Sequence, residues 1–94
     1  MKITIDVPDY DGVYLVREWD EESEILVEVF ENNTIHIQAN AAGLTSLAKN
    51  MIYLASSVGP ERHFHYDESN CGHGFHGKLE LIISRSDSWN SLPR

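Results

Sequence analysis

Residues 34–60 read TIHIQANAAGLTSLAKNMIYLASSVGP, and the hydrophobic period changes inside this stretch. Up to Ala39 apolar and polar residues alternate, as in a strand buried on one face. From Asn40 onward apolar residues recur at three- and four-residue steps, which is typical of an amphipathic helix. These residues are Leu44, Leu47, Ala48, Met51, Leu54, Ala55 and Val58. Asn40 is predicted to cap this helix, and Gly59-Pro60 to end it with a left-handed turn.

Three further strands are predicted on the N-terminal side. Residues 2–7 alternate apolar and polar side chains, residues 13–19 are rich in strand formers, and residues 24–31 alternate again. Asn32 and Asn33 separate the last of these strands from the next one. Because asparagine tolerates the positive φ angles of a tight turn, the pair is predicted to form a two-residue hairpin turn.

On the C-terminal side the alternation returns. Residues 62–67 place Phe64 and Tyr66 opposite two histidines, and residues 79–83 form a last apolar strand. The glycine-rich residues 68–77 between them are predicted to be a loop. Together these elements predict an α+β fold, a mostly antiparallel sheet of five or six strands with one amphipathic helix packed on one face.

The length of 94 residues is typical of one domain. We expect that domain to cover residues 1–85, and residues 86–94, including Trp89, to form a flexible C-terminal tail.

No segment approaches the roughly 20 apolar residues of a membrane span, and the start of the chain alternates, unlike a signal peptide. Cys71 is the single cysteine, so an internal disulfide is excluded. These features predict a cytoplasmic protein that has no membrane partner.

The charge balance is strongly acidic. Fifteen acidic residues against seven basic ones give a formal net charge of −8. The negative electrostatic field of a protein with this charge repels phosphate backbones and attracts cationic surfaces, so nucleic acid is not expected as a partner. Solubility alone is an equally good explanation of the acidity.

Four of the five histidines lie close together in the sequence. His63 and His65 are predicted to project from one face of a strand, and His73 and His76 follow in the loop. These four side chains are the candidate zinc ligands, although their spacing matches none of the strong zinc signatures. The alternative is that the histidines only decorate the open face of the sheet, so no cofactor is our first expectation.

Catalytic groups are not evident from the spacing. Cys71 and His73 lie two residues apart with no third group to orient them, as nucleophilic catalysis requires. The carboxylates stand in solvated runs where nothing raises a pKa. We therefore predict a binding protein and not an enzyme.

Two groups of residues are predicted to contact a partner. The first is an acidic turn with a neighbouring tryptophan, a residue type that is enriched in protein interfaces. The second is the histidine-containing motif of the strand predicted at residues 62–67. The residues are Trp19, Asp20, Glu21 and Glu22 in the first group, and His63, His65 and Asp67 in the second.

Three short motifs occur in a recognisable order between residues 34 and 85. Asn40-Ala-Ala-Gly43-Leu44 opens the helix, His63-Phe-His65-Tyr-Asp67 forms a strand, and Glu80-Leu-Ile-Ile lies in the last strand. This order resembles the immunity protein 32 family of bacterial polymorphic toxin systems.

The resemblance implies a cytoplasmic inhibitor that binds a cognate toxin and blocks its active site. An acidic inhibitor would be steered toward a basic toxin by long-range attraction. Two alternatives stay open. One is a small zinc protein or metalloenzyme using His63, His65, Asp67 and a ligand from residues 71–76. The other is a homo-oligomer formed through an exposed sheet edge.

Overall fold

The computed structural model describes residues 1–56 and 58–88. Its elements in chain order are β1 (Ile25–Phe30), β2 (Thr34–Ala39), α1 (Ala41–Ser56), β3 (His63–Tyr66), α2 (Glu68–Cys71), a 3₁₀ turn (Gly72–Gly74), β4 (Phe75–His76) and β5 (Leu81–Ser84). The predicted α+β class is confirmed. The part of the predicted tail at residues 89–94, Trp89 included, lies outside the described residues.

The strands form two small sheets, where one larger sheet was predicted. The first sheet has the order β2-β1-β4, and the second consists of β3 and β5. β1 pairs antiparallel with β2 and parallel with β4, while β3 pairs antiparallel with β5. The prediction was wrong about a single sheet of five or six strands, although most of the pairing is antiparallel. β4 belongs to the segment that was predicted as a loop. It can lie beside β1 because Gly74, just before β4, packs against the main chain of Ser23. A Cβ on residue 74 would be only 1.8 Å from the Ser23 carbonyl oxygen, so a side chain would prevent this contact.

The two strands predicted at residues 2–7 and 13–19 are not formed. Residues 1–24, all of which the structure describes, contain no strand. Their apolar residues Val7, Tyr10 and Leu15 still pack against the core. Ile3 and Val13, in contrast, are 66% and 65% exposed, so the apolar residues of these two segments are only partly covered and their main chain forms no strand.

The β1–β2 hairpin is confirmed, with a longer link than predicted. Phe30 pairs with Thr34, so three residues join the strands. Asn33 adopts a positive φ of 59°. Three-residue hairpin links commonly end in such a left-handed residue, which explains why an asparagine stands there.

Helix α1 begins as predicted and ends differently. The Asn40 side-chain oxygen Oδ1 accepts a hydrogen bond from the Gly43 N–H at 2.8 Å, which is an N-cap interaction. The helix ends at Ser56, before Gly59, and Gly59 is not left-handed. The Arg85 guanidinium donates to the carbonyl oxygens of Leu54 (3.1 Å) and Val58. These bonds satisfy carbonyls at the helix end without a glycine turn.

The buried stripe of α1 is rotated by about one residue from the predicted one, which is about 100° around the helix axis. Leu44 and Met51, predicted to be core residues, are 54% and 45% exposed. The buried positions instead are Gly43, Ser46, Leu47, Asn50, Tyr53 and Leu54. The reason is that polar members of the stripe bind the main chain of the N-terminal segment, as described below.

The core lies between α1 and the two sheets. Ile25 and Val27 contribute from β1, and Phe64 and Tyr66 contribute from β3. The Phe64 and Tyr66 side chains are almost fully buried. Because successive side chains of a strand point to opposite faces, the other face of β3 is left open.

Candidate functional site

The open face of the β3–β5 sheet carries the predicted strand motif. His63 is exposed and His65 is half-buried. Their rings contact each other edge to face, with centroids 4.8 Å apart. In the β ladder His63 pairs with Ser84 and His65 pairs with Ile82. The expected decoration of this face by histidines, with Phe64 and Tyr66 beneath the helix, matches the structure.

Asp67 follows β3 and belongs to the same site. Its Oδ1 atom accepts a hydrogen bond from the Asn70 N–H at 2.8 Å and so caps α2. The potential ligand atoms of His65, Asp67 and Glu80 all lie within 4.8 Å of one another. Glu80 was missed by the sequence analysis because it lies outside the histidine cluster and is brought there by the pairing of β5 with β3.

The structure does not bring the four predicted zinc ligands together. His73 lies exposed in the 3₁₀ turn, and His76 lies in β4 beside β1. The His76 Nε2 atom is 3.2 Å from Glu24 Oε1, so this histidine pairs with the acid just before β1, in the sheet that contains β4 and not in the β3–β5 sheet. In the described residues the group that converges is His65, Asp67 and Glu80.

Cys71 is buried at the end of α2. Burial raises the pKa of its thiol, which favours the protonated form. A thiolate is the form that acts as a nucleophile or metal ligand, so this environment opposes both roles. A reactive pair with His73 is therefore disfavoured by burial of the thiol as well as by the spacing.

The acidic turn and its tryptophan occupy different environments. Asp20, Glu21 and Glu22 are exposed, and Asp20 Oδ1 accepts a hydrogen bond from the Glu22 N–H at 2.8 Å. Trp19 is half-buried, and its ring centroid lies 5.6 Å from that of Tyr66. Since Tyr66 points away from the open face of β3, Trp19 and the two strand histidines lie on opposite sides of that strand.

A protein-family model described as immunity protein 32 matches residues 34–86. The chain belongs to this family. The match begins at the first residue of β2 and ends two residues after β5, so it includes α1 and the whole open face of the β3–β5 sheet. Comparison with curated proteins and with solved structures gives no match.

In this immunity protein 32 family member, the segment before β1 is held by polar side chains of α1. The Asn50 Oδ1 atom accepts from the Glu18 N–H at 2.9 Å, and Asn50 Nδ2 donates to the Glu18 carbonyl at 3.0 Å. Ser46 Oγ accepts from the Asp20 N–H at 3.1 Å. Tyr53 Oη accepts a longer bond of 3.4 Å from the Val16 N–H. These contacts place Trp19 and the acidic turn beside the helix.

Asn50 also links this segment to β3. Its Nδ2 atom donates a second hydrogen bond, 2.9 Å long, to Tyr66 Oη. Burial raises the pKa of the Tyr66 hydroxyl to about 12, which keeps it protonated at neutral pH. Sequence analysis missed this network because the stripe predicted for α1 was defined by apolar residues alone and so did not include Ser46 or Asn50.

Strand β2 is exposed along most of its length and lies at the edge of its sheet. Ile35 and Ile37 are 66% and 40% exposed, and Val29, the partner of Ile35, is 62% exposed. These three side chains share the face that buries Ile25 and Val27 nearer the core. The outer half of the hairpin therefore presents apolar surface.

Over residues 1–56 and 58–88, no helix is both long and apolar enough to cross a membrane.

Proposed function

We propose that this protein binds a cognate bacterial toxin and neutralises it by covering the toxin's active site. Its membership of the immunity protein 32 family is the observation that carries the proposal. The proposed action is stoichiometric binding without turnover, in the cytoplasm of the cell that makes the toxin. No nucleic acid or cofactor takes part in this action.

The charge of the protein supports the choice of a basic toxin surface as its target. The net charge of −8 attracts a cationic partner over distances of about a Debye length, roughly 8–10 Å at physiological salt. Such attraction raises the association rate more than it raises the affinity. The exposed carboxylates of Asp20, Glu21 and Glu22 form a concentrated part of this field.

Two surfaces are proposed to contact the toxin. One is the acidic turn, with the half-buried Trp19 beside it. The other is the open face of the β3–β5 sheet, where His63, His65 and Asp67 stand. Because these surfaces lie on different sides of β3, a toxin that touches both would have to wrap around the edge of that strand.

The proposal predicts a toxin gene beside the gene for this chain, and it is tested with the purified product of that gene. Titration of the full chain into that toxin is expected to give a one-to-one complex and complete loss of toxin activity at equivalence. The absence of a complex, or a complex that leaves the toxin active, would contradict the proposed function.

The contact surface is tested with charge variants. The triple variant Asp20→Asn, Glu21→Gln, Glu22→Gln is expected to slow association by about 10-fold at low salt, and the difference should shrink as salt is added. The control variant Asp6→Asn, Asp9→Asn, Glu31→Gln removes the same charge from other exposed positions. An equal effect in both variants would show that only the net charge matters and that the turn is not a contact.

A further inference from the structure

We propose that His65, Asp67 and Glu80 form a binding site for a divalent transition metal ion, tested here as zinc. One imidazole nitrogen and two carboxylate oxygens are available, and these atoms lie within 4.8 Å of one another. The site stands at the end of the β3–β5 sheet. Its residues His65 and Asp67 also belong to the surface proposed to contact the toxin, so metal binding is tested on the chain alone, where it can fail or succeed separately from toxin binding. The site differs from the four-histidine set expected from the spacing.

The register of the sheet explains why these side chains meet. Tyr66 pairs with Leu81, so the next positions outward, Asp67 and Glu80, face each other across the ladder. His65 lies two residues before Asp67, and side chains at that spacing share a face of an extended chain. The two carboxylates are thus opposite one another, an arrangement of like charges that destabilises a strand pair. A bound cation would offset that repulsion.

The three groups retain atoms that can bind a metal. Asp67 uses Oδ1 to cap α2, and its Oδ2 has no hydrogen-bond partner among residues 1–56 and 58–88. Within the same residues the His65 ring contacts His63 but makes no hydrogen bond, and the Glu80 side chain makes neither a hydrogen bond nor an ion pair. Lys78 lines the same cavity as Asp67 and Glu80, yet it forms no ion pair with either in the part of the chain that the structure describes.

The donor set suits zinc. Zinc binds imidazole nitrogen and carboxylate oxygen at about 2.0–2.2 Å, which places neighbouring ligand atoms of a tetrahedral shell about 3.4 Å apart. Glu80 is exposed, so its side chain is free to change rotamer toward the other two ligands. The fourth position remains for water. Manganese, which accepts similar ligands, is expected to bind more weakly than zinc.

A metal at this position would join three elements. Asp67 is both the residue after β3 and the cap of α2, and Glu80 directly precedes β5. Binding to the folded state raises its stability by mass action. We therefore expect zinc to raise the melting temperature of the full chain in a concentration-dependent manner.

The test is a calorimetric titration of zinc chloride into the full chain in a buffer that does not chelate metals. One zinc ion per chain is expected. Glu80→Gln and His65→Ala should each weaken binding by about 10-fold or more. The variant His73→Ala is the matched control, because it removes an exposed histidine outside the proposed site, and it should bind zinc like the parent.

Glu80→Gln also gives a signature that a purely structural role would not produce. Without metal, its melting temperature should equal or exceed that of the parent, because the repulsion between residues 67 and 80 is removed. With zinc, it should gain less than the parent. The proposal is overturned by an absence of zinc binding at millimolar concentration, or by binding that depends on His73 and not on Glu80.

Discussion

A strand was predicted both at residues 13–19, from their strand-forming side chains, and at β2, from alternation, but only β2 forms one. β2 pairs with the main chain of β1 along its full length. Residues 16–20 pair with side chains of α1 instead, through the N–H groups of Val16, Glu18 and Asp20. Two segments that were both predicted to be strands thus find different partners: β2 binds a neighbouring strand, and residues 16–20 bind side chains of a helix.

The helix side chains that bind residues 16–20 are four residues apart (Ser46 to Asn50) and three apart (Asn50 to Tyr53), rises of about 6 and 4.5 Å. Two residues of an extended chain rise about 6.6 Å, so the first step matches closely, and the long Tyr53 side chain spans the second through a 3.4 Å bond. Alternate N–H groups of residues 16–20 therefore meet one side chain per turn of α1. A buried main chain must find hydrogen-bond partners, but those partners need not belong to a strand.

The largest expected effect comes from removing hydrogen bonds between residues 16–20 and the side chains of α1. Asn50 is fully buried and makes three hydrogen bonds, to both main-chain groups of Glu18 and to Tyr66. Asn50→Ala leaves those partners unsatisfied and is expected to cost about 3 kcal/mol of unfolding free energy, measured by urea denaturation. Hydrogen exchange at Glu18 should accelerate at the same time.

The control for this prediction lies in the β1–β2 link. Asn32 is exposed, and its side chain makes no hydrogen bond with the described residues. Asn32→Ala is expected to change stability by less than about 0.5 kcal/mol. Similar losses in the two variants would contradict the view that Asn50 anchors the N-terminal segment.

A smaller effect is expected where the first turn of α1 contacts the end of the N-terminal segment. Gly43 lies against Glu24, the residue just before β1, and a Cβ at Gly43 would be 2.6 Å from the Glu24 carbonyl oxygen. That carbonyl already accepts a hydrogen bond from the Asn40 N–H. Gly43→Ala should therefore lower the unfolding free energy by about 1–2 kcal/mol, since overpacking outweighs the better helix propensity of alanine.

Gly59 provides the matched control for that substitution. A Cβ at Gly59 would have no neighbour within 4 Å among the described residues, and the backbone of Gly59 is not left-handed. Gly59→Ala is expected to be neutral or slightly stabilising in thermal unfolding. A larger loss at Gly59 than at Gly43 would refute the close-approach argument.

The smallest expected effect is at the outer end of the hairpin. Ile35→Thr changes an exposed side chain of β2 and should shift the unfolding free energy by less than about 0.5 kcal/mol. Val27→Thr places a hydroxyl at a buried position on the same face and should cost about 1–3 kcal/mol. The denaturant midpoints of the two variants measure how far the core extends along the hairpin. Equal midpoints would contradict the view that the core includes Val27 and ends before Ile35.

Part of the candidate site could be predicted from the sequence. The i, i+2 spacing of His63, His65 and Asp67 implies a shared face wherever the chain is extended, and the structure shows His63 and His65 on the open face. The sequence could not indicate Glu80, because its position depends on the register between β3 and β5. It also could not separate His76 from the other histidines, because β4 pairs with β1 in the other sheet.

The amino-acid sequence by itself determined the local elements of this protein. The change of period at Asn40 set the β2–α1 junction, and the asparagines after β1 set the hairpin, because turns and caps depend on nearby residues. Only the tertiary structure decided which groups these elements bind. A Ser46 or Asn50 side chain becomes a core residue only when another segment presents unpaired N–H groups to it, and nothing in the local pattern specifies that segment.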